Sequence, residues 1–299
     1  EEIMKRMWSV LGAGLIVGLA ITPLISCNVV KGELTLLVEN HLEATYSPCW
    51  SWDGSKIYFI HSEGPRNPDE PGQIWSVNVA DQTLELICED TFRVIDVSRQ
   101  DNLCLPTWYN GDDWIRVVDI ETWTTLDSIL PEHIYGYPRF SMESSQIIYY
   151  IDREQGWDST LLHKVDFENG TDEIILVAGT GNSVTPGLGD TLFAIGDTIY
   201  NINNAERIPL DLDPLSDATL DWNPANHLEL LICEERTDRH ILLFNLGTRK
   251  SRRVNAVPNL AAWIHNPTFS PDGKRIAFEA AEGADSFYDY QIWLFEPSD

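Results

Sequence analysis

Leu24-Ile25-Ser26-Cys27 is the stretch of this chain whose residue types and spacing specify a covalent chemistry. It closes an apolar run, residues 10–21, that begins behind Lys5 and Arg6. A basic segment, an apolar segment and a small residue before a cut make an export signal. A cysteine directly after the cut offers its thiol to lipid. Cys27 is therefore the expected lipidation site, and everything beyond it is expected outside the cytoplasm. The alternative is an uncleaved membrane helix. Residues 8–25 are borderline for the ~20 that a span needs, and their glycines and Pro23 suit a cleaved signal better. Glu1-Glu2-Ile3 sit awkwardly before such a signal, so translation is expected to start at Met4.

Catalytic chemistry is much less legible. Nucleophilic catalysis needs a nucleophile with a base in reach. The chain has no Gly-x-Ser-x-Gly turn, His-Glu-x-x-His pair, phosphate loop or EF-hand spacing. Besides Cys27 there are Cys49, Cys88, Cys104 and Cys233. In an exported chain they allow three disulfide pairings, or they stand as buried thiols in strands. No Cys-x-x-Cys occurs, which removes zinc-ribbon and redox-motif readings. A formal net charge of −27 repels a phosphate backbone, so nucleic acid is not an expected partner. Apolar content of 43% supports a real core, in one large domain or two small ones.

The elements that would position any site are set by an internal repeat. Pro48-Cys49-Trp50-Ser51-Trp52-Asp53-Gly54, Pro138-Arg139-Phe140-Ser141-Met142-Glu143-Ser144 and Pro267-Thr268-Phe269-Ser270-Pro271-Asp272-Gly273 superimpose. Each leads into a β-rich run, at residues 57–60, 147–150 and 276–278. The first two copies lie 90 residues apart and the last two 129. A unit of about 43 residues divides these spans into two and three steps. Weaker copies at 94–105, 185–195 and 220–232 fill the gaps. Units continue with a third and fourth strand, as in Ile74-Trp75-Ser76-Val77 followed by Leu84-Glu85-Leu86-Ile87. Short strands separated by Asp-Gly and Asn-rich turns read as antiparallel blades.

The expected fold is all-β, a six-bladed β-propeller of four-stranded antiparallel blades over residues 33–299. The last unit stops after its third strand, Gln291-Ile292-Trp293-Leu294-Phe295, while residues 33–38 form an orphan strand. That N-terminal strand is expected to pair in the last blade and close the ring, leaving no open edge there. Residues 1–27 are then the signal peptide and 28–32 a short tether.

Ser270-Pro271-Asp272-Gly273, with Ile276-Ala277-Phe278 after it, resembles the WD-like repeat of the TolB-type propeller family. Ile74-Trp75-Ser76-Val77-Asn78 is similar to that family's third-strand pattern. The resemblance spans 33–299, although unit four is short, its second and third strands meeting over Gly196-Asp197. It implies the propeller and not the family's role. Some propeller lyases hold a divalent metal with histidines at the channel mouth. Of seven histidines here, only His265 and less clearly His133 enter an innermost strand.

In a propeller, the loops joining strands two and three share a face with the loops entering strand one. Here the two-to-three loops are acidic in every unit, with sixteen carboxylates against Arg66, Arg153, Arg236 and Arg239. Asp112, Asp113, Asp152, Glu154, Asp158, Glu234, Glu235, Asp238, Asp285 and Asp289 form the expected partner-binding face; otherwise they are the ordinary solvated loops of an acidic protein. Tyr46, Arg93, Tyr137, Asn182 and His265 are expected around the channel mouth. Trp50, Phe140, Trp222 and Phe269 are expected between blades. The densest basic cluster, Arg249-Lys250-Ser251-Arg252-Arg253, is placed in a three-to-four turn on the opposite face, near Lys56, Lys274 and Arg275. A tether of about five residues reaches at most ~18 Å, so Arg249, Lys250, Arg252 and Arg253 are expected to face the bilayer; an ordinary solvated turn is the other reading.

The expected function is a lipid-anchored cell-envelope platform, non-catalytic, that binds envelope proteins through its acidic face and channel mouth. No cofactor is expected and no metal site is assigned, although a cation at the acidic face or channel mouth fits the charge. One alternative is a glycan- or small-ligand-binding lipoprotein, with Tyr46, Tyr137 and Trp157 stacking on sugar rings. A further alternative is a metal-dependent polysaccharide lyase or hydrolase.

Overall fold

Runs of β-branched and aromatic residues, punctuated by residues that tolerate a left-handed backbone, fold here into sequence-local antiparallel sheets. The computed structural model describes residues 29–39, 44–62, 72–92, 94–99, 103–104, 115–129, 137–153, 159–179, 181, 183–210, 212, 218–233, 240–254, 264–281 and 290–298. The chain opens with β1 (Val29–Val30) and β2 (Gly32–Val38). The first sheet is β3 (Ala44–Trp50), β4 (Lys56–Ser62), β5 (Gly72–Asn78) and β6 (Leu84–Phe92). The second is β7 (Leu103–Cys104), β8 (Ile115–Asp119) and β9 (Thr124–Ile129). The third is β10 (Arg139–Phe140), β11 (Ile147–Arg153), β12 (Thr160–Asp166) and β13 (Thr171–Ala178). The fourth is β14 (Val184–Pro186), β15 (Leu192–Ile195), β16 (Thr198–Asn201) and β17 (Glu206–Pro209). The fifth contains β18 (Thr219–Trp222), β19 (Glu229–Cys233), β20 (Ile241–Asn245) and β21 (Lys250–Val254). The sixth contains β22 (Ile264–Phe269), β23 (Ile276–Ala281) and β24 (Tyr290–Pro297). This is a β-propeller arrangement, with at least four strands in five of the sheets and three described in the second.

The N-terminal segment joins two sheets. β2 pairs antiparallel with β24, from Gly32 opposite Pro297 to Val38 opposite Ile292, in the place of a fourth strand. β1 pairs parallel with β21, Val29 opposite Arg253 and Val30 opposite Val254, as a fifth strand of the fifth sheet. Much of the expected tether is therefore strand. Gly32 is needed there, because a Cβ would lie 2.2 Å from the Glu296 carbonyl oxygen.

The repeat becomes one turn chemistry. Ser51 Oγ donates to Asp53 at 2.8 Å and accepts the Lys56 N–H at 2.9 Å. Ser270 does the same with Asp272 and the Arg275 N–H. The glycine after each aspartate, Gly54 (φ 70°) and Gly273 (φ 69°), takes the left-handed conformation that closes the turn.

The core is divided among the junctions between sheets. Tyr149 packs with Phe193 toward the fourth sheet, while Tyr150 packs with Ile115 and Val117 toward the second. Consecutive strand residues point to opposite faces, so both faces of the third sheet are buried. Equivalent clusters join the first and second, fourth and fifth, and fifth and sixth sheets. Another joins the sixth to the first through Leu37, Val38, Ala277, Ile292, Trp50 and Ile57. Trp50, Phe140, Trp222 and Phe269 are all buried, as a blade-to-blade role requires.

Candidate functional site

The residue just before each strand-one aromatic, or its counterpart, points inward at one end of the channel. In sheet order these are Cys49, Asp96, Arg139, Thr185, Asp221 and Thr268, and all six line two small cavities of about 30 and 20 Å³. Asp96 accepts from Arg139 Nη1 at 3.0 Å and from the Phe140 N–H at 2.8 Å. Asp221 accepts from Thr268 Oγ1 at 3.1 Å and the Phe269 N–H at 2.8 Å. Arg99 Nη2 also reaches both oxygens of Asp221, at 3.1 and 3.3 Å. Each aspartate thus ties its own sheet to the next. Trp222 Nε1 donates to the Thr185 carbonyl at 3.1 Å and Trp50 Nε1 to the Thr268 carbonyl at 3.2 Å, linking further pairs of sheets.

Two arginines and two aspartates balance in charge. Burial pulls Arg139 toward neutrality, but Asp96 and then Asp221 overcome this and hold its pKa above the ordinary value. Burial, then the Asp96 carboxylate, pushes the Cys49 thiol well up, so it stays protonated and is a poor nucleophile. Cavities of about 20–30 Å³ hold a water or two and no substrate.

Tyr46 and His265 are buried, and His265 packs 5.4 Å from the Tyr290 ring. Tyr137 is exposed and bridges to Ser183. Arg93 and Asn182 lie outside the described residues, as do His133, Trp157 and Cys27. Of the acidic face, Asp112, Asp113, Glu154, Asp158, Glu234, Glu235, Asp238, Asp285 and Asp289 also lie outside them. Asp152 belongs to strand β11, opposite Leu161, and not to a loop.

The basic cluster needs a correction. Arg249 alone sits in the turn (φ 53°), whereas Lys250–Val254 is β21, because the register opposite β20 starts immediately. Its charges are partly paired: Arg249 with Glu206 at 3.3 Å and Arg252 with Glu229 at 3.4 Å. Arg253 donates to His240 Nδ1 at 2.8 Å. The same face carries Asp119 and Asp166 in other three-to-four turns, each capping its own turn. Cys49, Cys88 and Cys233 are buried as thiols, and Cys233 Sγ donates to the Ile264 carbonyl at 3.1 Å.

Sequence reasoning missed Arg99, Asp96 and Asp221. For Asp96 and Asp221 the available signal was the position before each repeat aromatic or its counterpart, where they and Arg139 stand against uncharged residues in the other copies; no such signal marked Arg99. It also missed a cluster on the third sheet, where Tyr150 donates to Asp172 at 2.8 Å and stacks on His163 at 4.5 Å.

No family model and no curated protein sequence matches this chain. Solved structures do. An oligogalacturonate lyase in complex with manganese is similar at 14% identity and TM-score 0.51, over 90% of this chain and 94% of that one. A chain of a mitotic checkpoint complex matches at 12% identity and TM-score 0.59, over 96% and 98%. A chain of a nidogen/laminin complex matches at 11% identity and TM-score 0.54, over 70% and 79%. At these identities the likeness carries the propeller fold alone.

Proposed function

We propose that this chain is a six-bladed propeller, closed between its sixth and first sheets, that hangs from a membrane by lipid on Cys27 and binds other envelope proteins. Closure is supported by the β2–β24 pairing and by the apolar cluster shared by the sixth and first sheets. The binding reading rests on one observation. Among the described residues, the inward charges at this end of the channel engage one another around two small cavities, which supports binding through the loops over chemistry at this end.

Orientation follows from the anchor. Val29, two residues beyond Cys27, pairs opposite Arg253, so a lipid on Cys27 would attach within about 7 Å of that pair. Arg252, Arg253 and Lys250 would then meet anionic head groups, at about 1 kcal/mol each. The acidic two-to-three loops would face partners.

The deciding experiment is crosslinking of the lipidated protein in its native envelope, beside a variant with Asp112, Asp113, Glu234, Glu235 and Asp285 changed to Asn or Gln. A defined protein partner lost in the variant supports docking through the acidic face. No captured protein in either case moves the reading to a ligand-binding lipoprotein. Reversal of Arg249, Lys250, Arg252 and Arg253 should weaken binding of the unlipidated domain to anionic vesicles.

A metal-dependent lyase is the second reading, favoured by the fold likeness to the manganese-bound lyase and by His265 on an innermost strand. Manganese binding lost on His265→Ala, together with cleavage of oligogalacturonate, would establish it.

A further inference from the structure

Arg99 lies in the turn before β7 and Asp221 on β18, and their side chains meet inside the channel. Asp221 has two donors behind it, Thr268 Oγ1 and the Phe269 N–H, both from the sixth sheet. Its side chain is only 12% exposed, so without a cation it would be a nearly buried, uncompensated charge. Arg99 approaches through one nitrogen, Nη2, which reaches both carboxylate oxygens. Its Nη1 is buried without a partner, as is Nε of Arg139. The small cavities adjoin these groups, and a buried donor beside a polar void of that size is met by an ordered water. The other charged or titratable groups lining the site are Asp96, Arg139 and Cys49.

Asp96 shows what the same position does without a crossing arginine. It also binds the N–H of the next sheet's aromatic, and its cation, Arg139, comes from that adjacent sheet. At the fifth sheet the adjacent residue is Thr268, which supplies a hydroxyl and no charge. The cation must come from elsewhere, and the chain supplies it from the second sheet's turn.

We propose that Asp221, backed by Thr268 and the Phe269 N–H, is a guanidinium-binding site that the chain fills with its own Arg99. The bound group seals this end of the channel and clasps the second sheet to the fifth. The chemistry suits a guanidinium: it keeps its charge on burial and is more weakly hydrated than an ammonium, and here it reaches both carboxylate oxygens through Nη2. Any external ligand for the site would be an alkylguanidinium, such as the arginine side chain of another chain, and would have to displace Arg99.

The test uses the full mature chain and free guanidinium as the probe. Arg99→Ala should lower Tm by roughly 5 °C or more. Low-millimolar guanidinium chloride should restore at least half of that loss, while equal sodium chloride should not. Arg99→Ala with Asp221→Asn should show no rescue, and the wild type should show no rise. A folded Arg99→Ala variant that guanidinium fails to rescue, or equal rescue of the double variant, overturns the proposal. If Arg99→Ala does not fold, Arg99→Gln and Asp221→Asn in a double-mutant cycle replace it. Coupling of about tenfold or more in the unfolding constant supports the site, and additive effects overturn it.

Discussion

Two tryptophans separated by one residue should behave in opposite ways when truncated. Trp50 is 5% exposed and Trp52 is 47% exposed. Trp50 ends β3 and packs with Ile57, Val77, Leu37 and Leu294, across the junction of the first and sixth sheets. Its indole N–H donates to the Thr268 carbonyl, and the Arg275 guanidinium sits 4.8 Å over its ring. Burying about 200 Å² of such a ring at ~25 cal/mol/Å² gives an upper bound near 5 kcal/mol. Large-to-small substitution of buried aromatics costs about 3–5 kcal/mol, in line with that bound. Trp50→Ala should therefore cost about 3–5 kcal/mol, or roughly 10 °C in Tm. Trp50→Phe keeps a ring under Arg275 and leaves the Thr268 carbonyl without its donor, so about 1–2 kcal/mol is expected. Trp52→Ala should stay within about 0.5 kcal/mol. Urea unfolding followed by far-UV circular dichroism measures all three. Equal losses at Trp50 and Trp52, or less than about 1 kcal/mol at Trp50, would refute the junction reasoning.

Further outcomes follow from the same geometry. Deleting residues 33–38 should remove the edge partner of β24 and most of the stability, and an unchanged melting curve would remove the closure model. Gly273→Ala should cost more than Gly170→Ala, although both glycines have positive φ (69° and 63°). A Cβ at Gly273 would meet Asn223 Oδ1 at 2.1 Å, while one at Gly170 meets nothing within 4 Å, so only the latter is limited to the left-handed cost of about 1–2 kcal/mol. Paired thermal melts compare them. Asp53 has its pKa lowered, first by the Ser55 N–H. Its folded form therefore binds fewer protons than the unfolded chain, and its contribution is present above about pH 4 and lost as pH falls through the lowered pKa. The Tm gap between wild type and Asp53→Asn should shrink on acidification, and a constant gap would exclude this linkage.

The strands and their turns were readable because they depend on near neighbours. Ser51-Trp52-Asp53-Gly54 and Ser270-Pro271-Asp272-Gly273 encode their turns through hydrogen bonds that span at most five residues. The alternation of strand residues then sorted side chains to the two faces of each sheet. Where a strand ends, alternation fails: Trp52 is two residues beyond Trp50, but the turn carries it into solvent. The basic run was misplaced for a related reason. Lys250 to Arg253 looks like a turn by composition, yet pairing with β20 makes it strand, since an outer strand has little apolar surface to bury and tolerates charge.

Sequence alone determined the repeat, the all-β class, the residues that pack between sheets and the orphan strand that needed a partner. All of these follow from local periodicity and turn preference. Tertiary structure decided which charges meet. Arg99 and Asp221 are 122 residues apart, and Trp50 and Thr268 are 218 apart. β1 likewise found β21 across nearly the whole chain. A propeller arrangement brings distant strands to one axis, and no spacing along a chain reports which two of its innermost side chains will meet there.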